Sequence, residues 1–152
     1  MALRERVKRK HIESAIKVLP ADGARPIDYA LGGGGSMSPR MLVLALVGGW
    51  VVVTVLLSVA LHTLVVIGAI PLVIVSFALN QPRGVLLSDR GVALLRRSFL
   101  TSRPEAVVGL DSSASLGRAV KQQAGYTRIQ VGPGQVWVKD SDLTRLRQQS
   151  GG

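Results

Sequence analysis

Residues Met41 to Asn80 form an uncharged, almost wholly apolar run of forty residues, MLVLALVGGWVVVTVLLSVALHTLVVIGAIPLVIVSFALN. A helix rises about 1.5 Å per residue and a bilayer's hydrocarbon core is about 30 Å thick, so roughly 20 residues span it. The run is twice that length, more than tilting one helix absorbs. It therefore predicts two membrane-spanning helices joined by a short turn. A secretory signal is a poor alternative, because its apolar stretch is short and lies near the N-terminus.

Charge sets the expected orientation. Residues 1–40 carry eight Lys/Arg against four Asp/Glu, and residues 81–152 carry eleven against five. Two basic flanks around an even number of spans place both ends on the cytoplasmic side, and the connecting turn has no charge to hold it there. Neither predicted span contains Asp, Glu, Lys or Arg. Pumps and ion paths normally keep such groups in the membrane, so transport through a single chain is disfavoured.

The chain has no cysteine and two histidines, His11 and His62. Thiolate metal sites, disulfides and cysteine nucleophiles are excluded, and zinc-hydrolase or Ser-His-Asp chemistry has too few parts. Ser88/Asp89 and Asp140/Asp142 are the nearest things to polar constellations, and a turn and a helix cap account for them. No enzyme, cofactor or metal site is expected.

Residues 1–19 read as a basic helix, with Arg4, Arg6, Lys8, Arg9, Lys10 and Lys17 set among Leu3, Val7, Ile12, Ile16 and Leu19. Ile12, Ala15, Ile16 and Leu19 recur at helical spacing and give it a modest apolar face. Such a helix fits either an interfacial position on anionic lipid or an ordinary solvated helix or tail. Nucleic acid is a poorer fit, for want of aromatic stacking residues. Residues 20–40, with Pro20, Pro26, Pro39 and glycines 32–35, read as a Pro/Gly linker. They lack the Lys-Ser/Thr of a phosphate-binding loop.

Within 41–80 the first span is expected from Met41 to Ser58 or Ala60. The turn is expected within Ser58–Thr63 and the second span over about Leu64–Leu79. Gly48 and Gly49 would let a neighbouring helix approach closely, with Trp50 as a packing residue. Pro71 is expected to kink the second span.

Beyond Arg83 the pattern turns to period two. GVLLS at 84–88 and VALLRRSFL at 92–100 flank Asp89-Arg90-Gly91, a hairpin turn, and AVVGL at 106–110 suggests a third strand. Residues 111–125 read as a loop. Tyr126–Gly132 and Gln135–Asp140 flank Pro133-Gly134, with Ile129, Val131, Val136 and Val138 on a core face. Asp140-Ser141-Asp142 then offers N-caps for a last helix packed through Leu143 and Leu146.

The stretches VLLSDRGVALLRRSFLTSRPEAVVG at 85–109 and TRIQVGPGQVWVKDSDLTRLRQ at 127–148, following a two-span hairpin, resemble bacterial membrane proteins with a pleckstrin-homology-like domain, including small actinobacterial ones. The resemblance covers about half the chain. It implies a non-enzymatic, mainly antiparallel α+β cytoplasmic domain over 84–149, closed by a C-terminal helix and held at the inner membrane. Larger relatives carry more strands than residues 111–125 offer.

The leading expectation is an anchor or adaptor. Its basic residues, Arg4, Arg6, Lys8, Arg9, Lys10, Arg96, Arg97 and Arg103, with Arg118, Lys121 and Arg128, would meet anionic headgroups or an acidic partner. The alternative is an accessory subunit or homo-oligomer that packs through Gly48 and Gly49. A holin-like pore former is the third class, and the folded C-terminal segment is more than that role needs.

Overall fold

Gly33 and Pro82 are register partners on neighbouring strands, so the whole apolar run is an insertion in one β-hairpin. The computed structural model describes residues 2–19, 24–62, 70–98, 101 and 103–151. In chain order they form α1 (Ala2–Ile16), β1 (Pro26–Gly33), α2 (Pro39–Ala60), α3 (Ile70–Leu79), β2 (Pro82–Ser88), β3 (Gly91–Arg97) and β4 (Pro104–Asp111). A 3₁₀ turn (Ser113–Gly117), β5 (Ala119–Gln123), β6 (Tyr126–Val131), β7 (Gly134–Lys139) and α4 (Asp140–Ser150) follow. The strands make one antiparallel seven-stranded sheet in the order β4-β3-β2-β1-β7-β6-β5.

The sheet curls until β3 and β4 approach β6. Its inner face is filled by Val85, Leu87, Val92, Leu94, Ile129, Val131, Val136 and Val138, and is closed by Leu143 and Leu146 of α4 and Leu116 of the 3₁₀ turn. Full burial of a leucine contributes about 1.5–3 kcal/mol, so the two α4 leucines fix that helix. Strand alternation sends Tyr29, Leu86, Ala93 and Leu95 to the outer face, where they form a second cluster with Ala15, Ile12 and Leu19 of the N-terminal segment. The apolar stripe of α1 is thus spent on the sheet, while Ile16 stays exposed.

Two expectations are corrected here. Residues 20–40 are not a linker throughout: 26–33 are the strand that joins the two halves of the sheet, pairing with β2 along its length and with β7 at Gly32 and Gly33. Its composition misleads because the glycines serve close approach. A Cβ on Gly33 would collide with the Asn80 side chain, and one on Gly34 with Arg83. Residues 111–125 are not a loop but hold the 3₁₀ turn and edge strand β5, whose exposed face carries few apolar residues to betray it.

The two predicted hairpins stand, with turns at Asp89–Arg90 and Gly132–Pro133. The terminal helix also forms, but Lys139 occupies its cap position and makes no side-chain capping bond. Asp140 turns sideways instead, accepting hydrogen bonds from Thr127 Oγ1 at 2.7 Å and Gln122 Nε2 at 3.0 Å.

Helix α2 is 22 residues long, has mean hydropathy 2.6 over its best window, and is only 6% buried there. It is the one helix among the described residues long and apolar enough to cross a membrane. Ser38 caps it, its Oγ accepting from the Met41 N–H, and Pro39 occupies the first turn, where a missing donor costs nothing. Between Val43 and Ala60 only Leu46, Trp50, Thr54 and Ser58 are partly shielded, one residue in every four and hence one side of the helix.

Helix α3 packs against α2. Gly48 and Gly49 lie away from the shielded side, and a Cβ at either would meet nothing within 4 Å. Among the described residues no helix packs on them, and a helix outside these residues is what the expectation still requires. The turn begins inside the predicted window, with His62 in the left-handed region at φ 49°. Residues 63–69, the expected start of the second span, lie outside the described residues. Pro71 is the second described residue of α3, so the part of the second span on which the expected kink would fall lies outside the described residues.

Candidate functional site

The insertion defines one end of the sheet as the hairpin end. Antiparallel pairing sets Arg83 opposite Arg96, so the close of β3 and the β3–β4 connection sit at that end too. The N-terminal helix is aligned with it. Leu19 lies beside Ser88 and Gly91 at the far end of the strands, whereas Lys10 and His11 lie beside Thr101 and Arg103. The basic first half of α1 therefore points toward the hairpin end, where two groups of cations distant in sequence meet.

Between α1 and the β3–β4 connection is a cleft of about 380 Å³ lined by Lys10, His11, Glu13, Ser14, Lys17, Thr101 and Arg103. Its connection is held by the Ser98 N–H donating to the Arg103 carbonyl at 2.8 Å, and the Arg103 N–H donates to Thr101 Oγ1 at 3.4 Å. His11 forms its floor, stacked on Tyr29 with ring centroids 5.8 Å apart. Burial, and then the charge of Arg97, hold the His11 imidazole below its ordinary value. Burial pushes the Tyr29 phenol up to about 12, partly opposed by Arg97. The Tyr29 hydroxyl, wedged against Gly84, has no hydrogen-bond partner among the described residues.

A second basic group surrounds the hairpin's roots. Arg83 reaches from β2 to donate to the Gln135 carbonyl of β7. Burial, with Arg128 nearby, lowers its pKa. The Arg128 guanidinium lies over the Trp137 ring, 5.7 Å from its centre, a cation–π contact. Trp137 is fully buried and its Nε1–H donates to the Gly35 carbonyl at 3.0 Å. Gly34 N–H donates to the Gln81 carbonyl at 2.9 Å, and Gly35 N–H to Asn80 Oδ1 at 3.2 Å, so the entering and leaving chains are bonded to one another. Arg40 is exposed just inside α2.

Of the residues singled out from sequence, Lys10 and Arg103 share the cleft, and Arg97 is close enough for its charge to act on His11. Arg96 is exposed at the end of β3, and Arg6 and Arg9 are exposed on α1. Arg4 and Lys8 belong to the same helix. Arg118 does not join them: it stands at the opposite end, 4.0 Å from Asp111. Sequence reasoning missed Arg83, Trp137 and the Gly34–Gly35 crossing, although a tryptophan between two core valines was a visible sign that the outer face of β7 is covered. No protein-family profile, curated protein or solved structure matches this chain.

Proposed function

We propose that the chain is a two-span inner-membrane anchor, with both termini cytoplasmic, that holds a small basic pleckstrin-homology-like domain against the leaflet as a lipid- or partner-binding adaptor. The observation that carries the reading is the exposure of α2. Ten of its large apolar side chains, from Val43 to Val59, stand open to the surroundings. Half-exposed in water, they would forfeit on the order of 10 kcal/mol of burial. A core helix of a soluble protein hides such residues, and a bilayer hides them equally well.

Three further features support it. The run of apolar sequence continues from α2 through α3, both ends of it enter one β-hairpin, and cations crowd that end. Basic residues near an anionic surface contribute about 1 kcal/mol each. An antiparallel sheet followed by a C-terminal helix also supports the reading, since the resemblance implies that much. Full-length protein in nanodiscs tests the surface contact. Amide exchange in α1 and the β3–β4 connection should slow when neutral lipid is replaced by anionic lipid, and the difference should shrink in high salt. Equal exchange in both lipids at low salt would contradict lipid contact.

A second reading has its own observation. The open Gly48–Gly49 side of α2 suits close approach by another helix, as in an accessory subunit or a homo-oligomer. Crosslinking in native membranes tests it, and a strict monomer would rule it out.

A further inference from the structure

The cleft between α1 and the β3–β4 connection has the makings of a ligand site as well as a basic surface. Its volume of about 380 Å³ lies within the roughly 300–1,000 Å³ typical of small-ligand sites. Lys10 of α1 and Lys17, in the turn just after that helix, line one side, and Arg103 approaches from the opposite wall. Among the described residues none of these three cations has an ion-pair partner, and Glu13 is the only carboxylate of the lining. Three positive charges against one leave two to be met by a ligand. Arg103 is suited to a bidentate grip on an oxyanion, and the Thr101 hydroxyl, which accepts from a backbone N–H, keeps its own hydrogen to donate.

We infer that this cleft binds a phosphomonoester dianion, with Lys10, Lys17 and Arg103 as its charge partners. Such a group is carried either by a lipid headgroup or by a small soluble phosphate. The lipid source rests on the membrane-surface reading above, whereas the soluble source does not. Lysines accept a monoester from several directions, and the guanidinium fixes its orientation.

The test uses the full-length protein in nanodiscs. In one arm inorganic phosphate is titrated by calorimetry into discs of neutral lipid. In the other, native mass spectrometry compares retention of phosphatidic acid, a monoester, with phosphatidylglycerol, a diester. Saturable phosphate uptake identifies a soluble ligand. Selective retention of phosphatidic acid without phosphate uptake identifies a headgroup. In either case Arg103→Gln and Lys10→Gln should each weaken binding roughly tenfold, the scale of one charge-assisted hydrogen bond. Both side chains are exposed, so the variants should fold, and Lys139→Gln, on β7, should change nothing. Absence of saturable binding in both arms, or an equal loss with Lys139→Gln, would overturn the inference. Failure of the anchor reading would register separately, as misplaced termini with phosphate binding retained.

Discussion

Asp28 and Arg145, 117 residues apart, meet at 2.7 Å between the carboxylate Oδ2 and the guanidinium Nε. The contact ties the strand that precedes the apolar run to the helix that ends the sheet domain. Asp28 is wholly buried, while Arg145 is about a third exposed and also reaches Asp142 at 3.2 Å. The other Asp28 oxygen, Oδ1, accepts the Tyr29 N–H at 2.7 Å. One side chain thus fixes the start of β1 from two directions.

Asp28→Ala should lower stability by about 2–3 kcal/mol, below the top of the range for broken buried pairs because Arg145 keeps its contact with solvent and with Asp142. Arg145→Ala should cost a similar amount by stranding the buried carboxylate. Chemical unfolding of both variants and the double variant checks this, and additive effects would mean that the pair is not coupled.

Docking of α1 should depend on pH through His11. Its folded value lies below the ordinary 6.5, so the docked helix favours neutral imidazole. The contribution is full above 6.5 and is lost as pH falls through 6.5 toward the folded value, because the undocked form takes up the proton first. Limited proteolysis within residues 1–19 should therefore accelerate on mild acidification. His11→Gln should flatten that slope, and an unchanged slope would exclude His11. Ala15→Glu, at a fully buried position on the sheet, should release the helix at every pH while leaving the sheet folded.

Asp111 latches β4 to the turn after β6, its Oδ2 accepting from the Gly132 N–H at 3.2 Å. That bond and one from the Ser112 N–H hold its carboxyl below the ordinary 3.8. Its contribution is present above 3.8 and is lost as pH falls below that toward the folded value. Asp111→Asn should lose stability near neutrality and unfold with a shallower dependence at acid pH, followed by circular dichroism. An acid limb identical to that of the parent would contradict this latch.

Much of the sheet domain was legible because short apolar or alternating runs lie between strong turns: Asp89-Arg90-Gly91 and Pro133-Gly134 mark both hairpins, while β2 and β3 are buried on both faces and so read as continuous apolar runs. Strand β1 was not, because Pro26 and the glycines carry the composition of a linker, while its partners, Arg83 to Ser88, lie beyond the apolar run. Strand β5 escaped for a different reason: Lys121, Gln122 and Gln123 sit on an exposed edge, where burial imposes no pattern. The cleft was half legible. Lys10 and Arg103 stood out as cations, but nothing local announces that a helix before β1 will lie across the strands beside the β3–β4 connection.

The central claim is that an insertion in the β1–β2 hairpin carries the chain across the membrane and back. Because the chain has no cysteine, single cysteines report their location directly. His62→Cys, in the turn after α2, and Ser150→Cys, at the end of α4, are compared in intact cells with a membrane-impermeant maleimide. The account predicts labelling at 62 without permeabilisation and at 150 only after it. Labelling of both positions from the same side would contradict it.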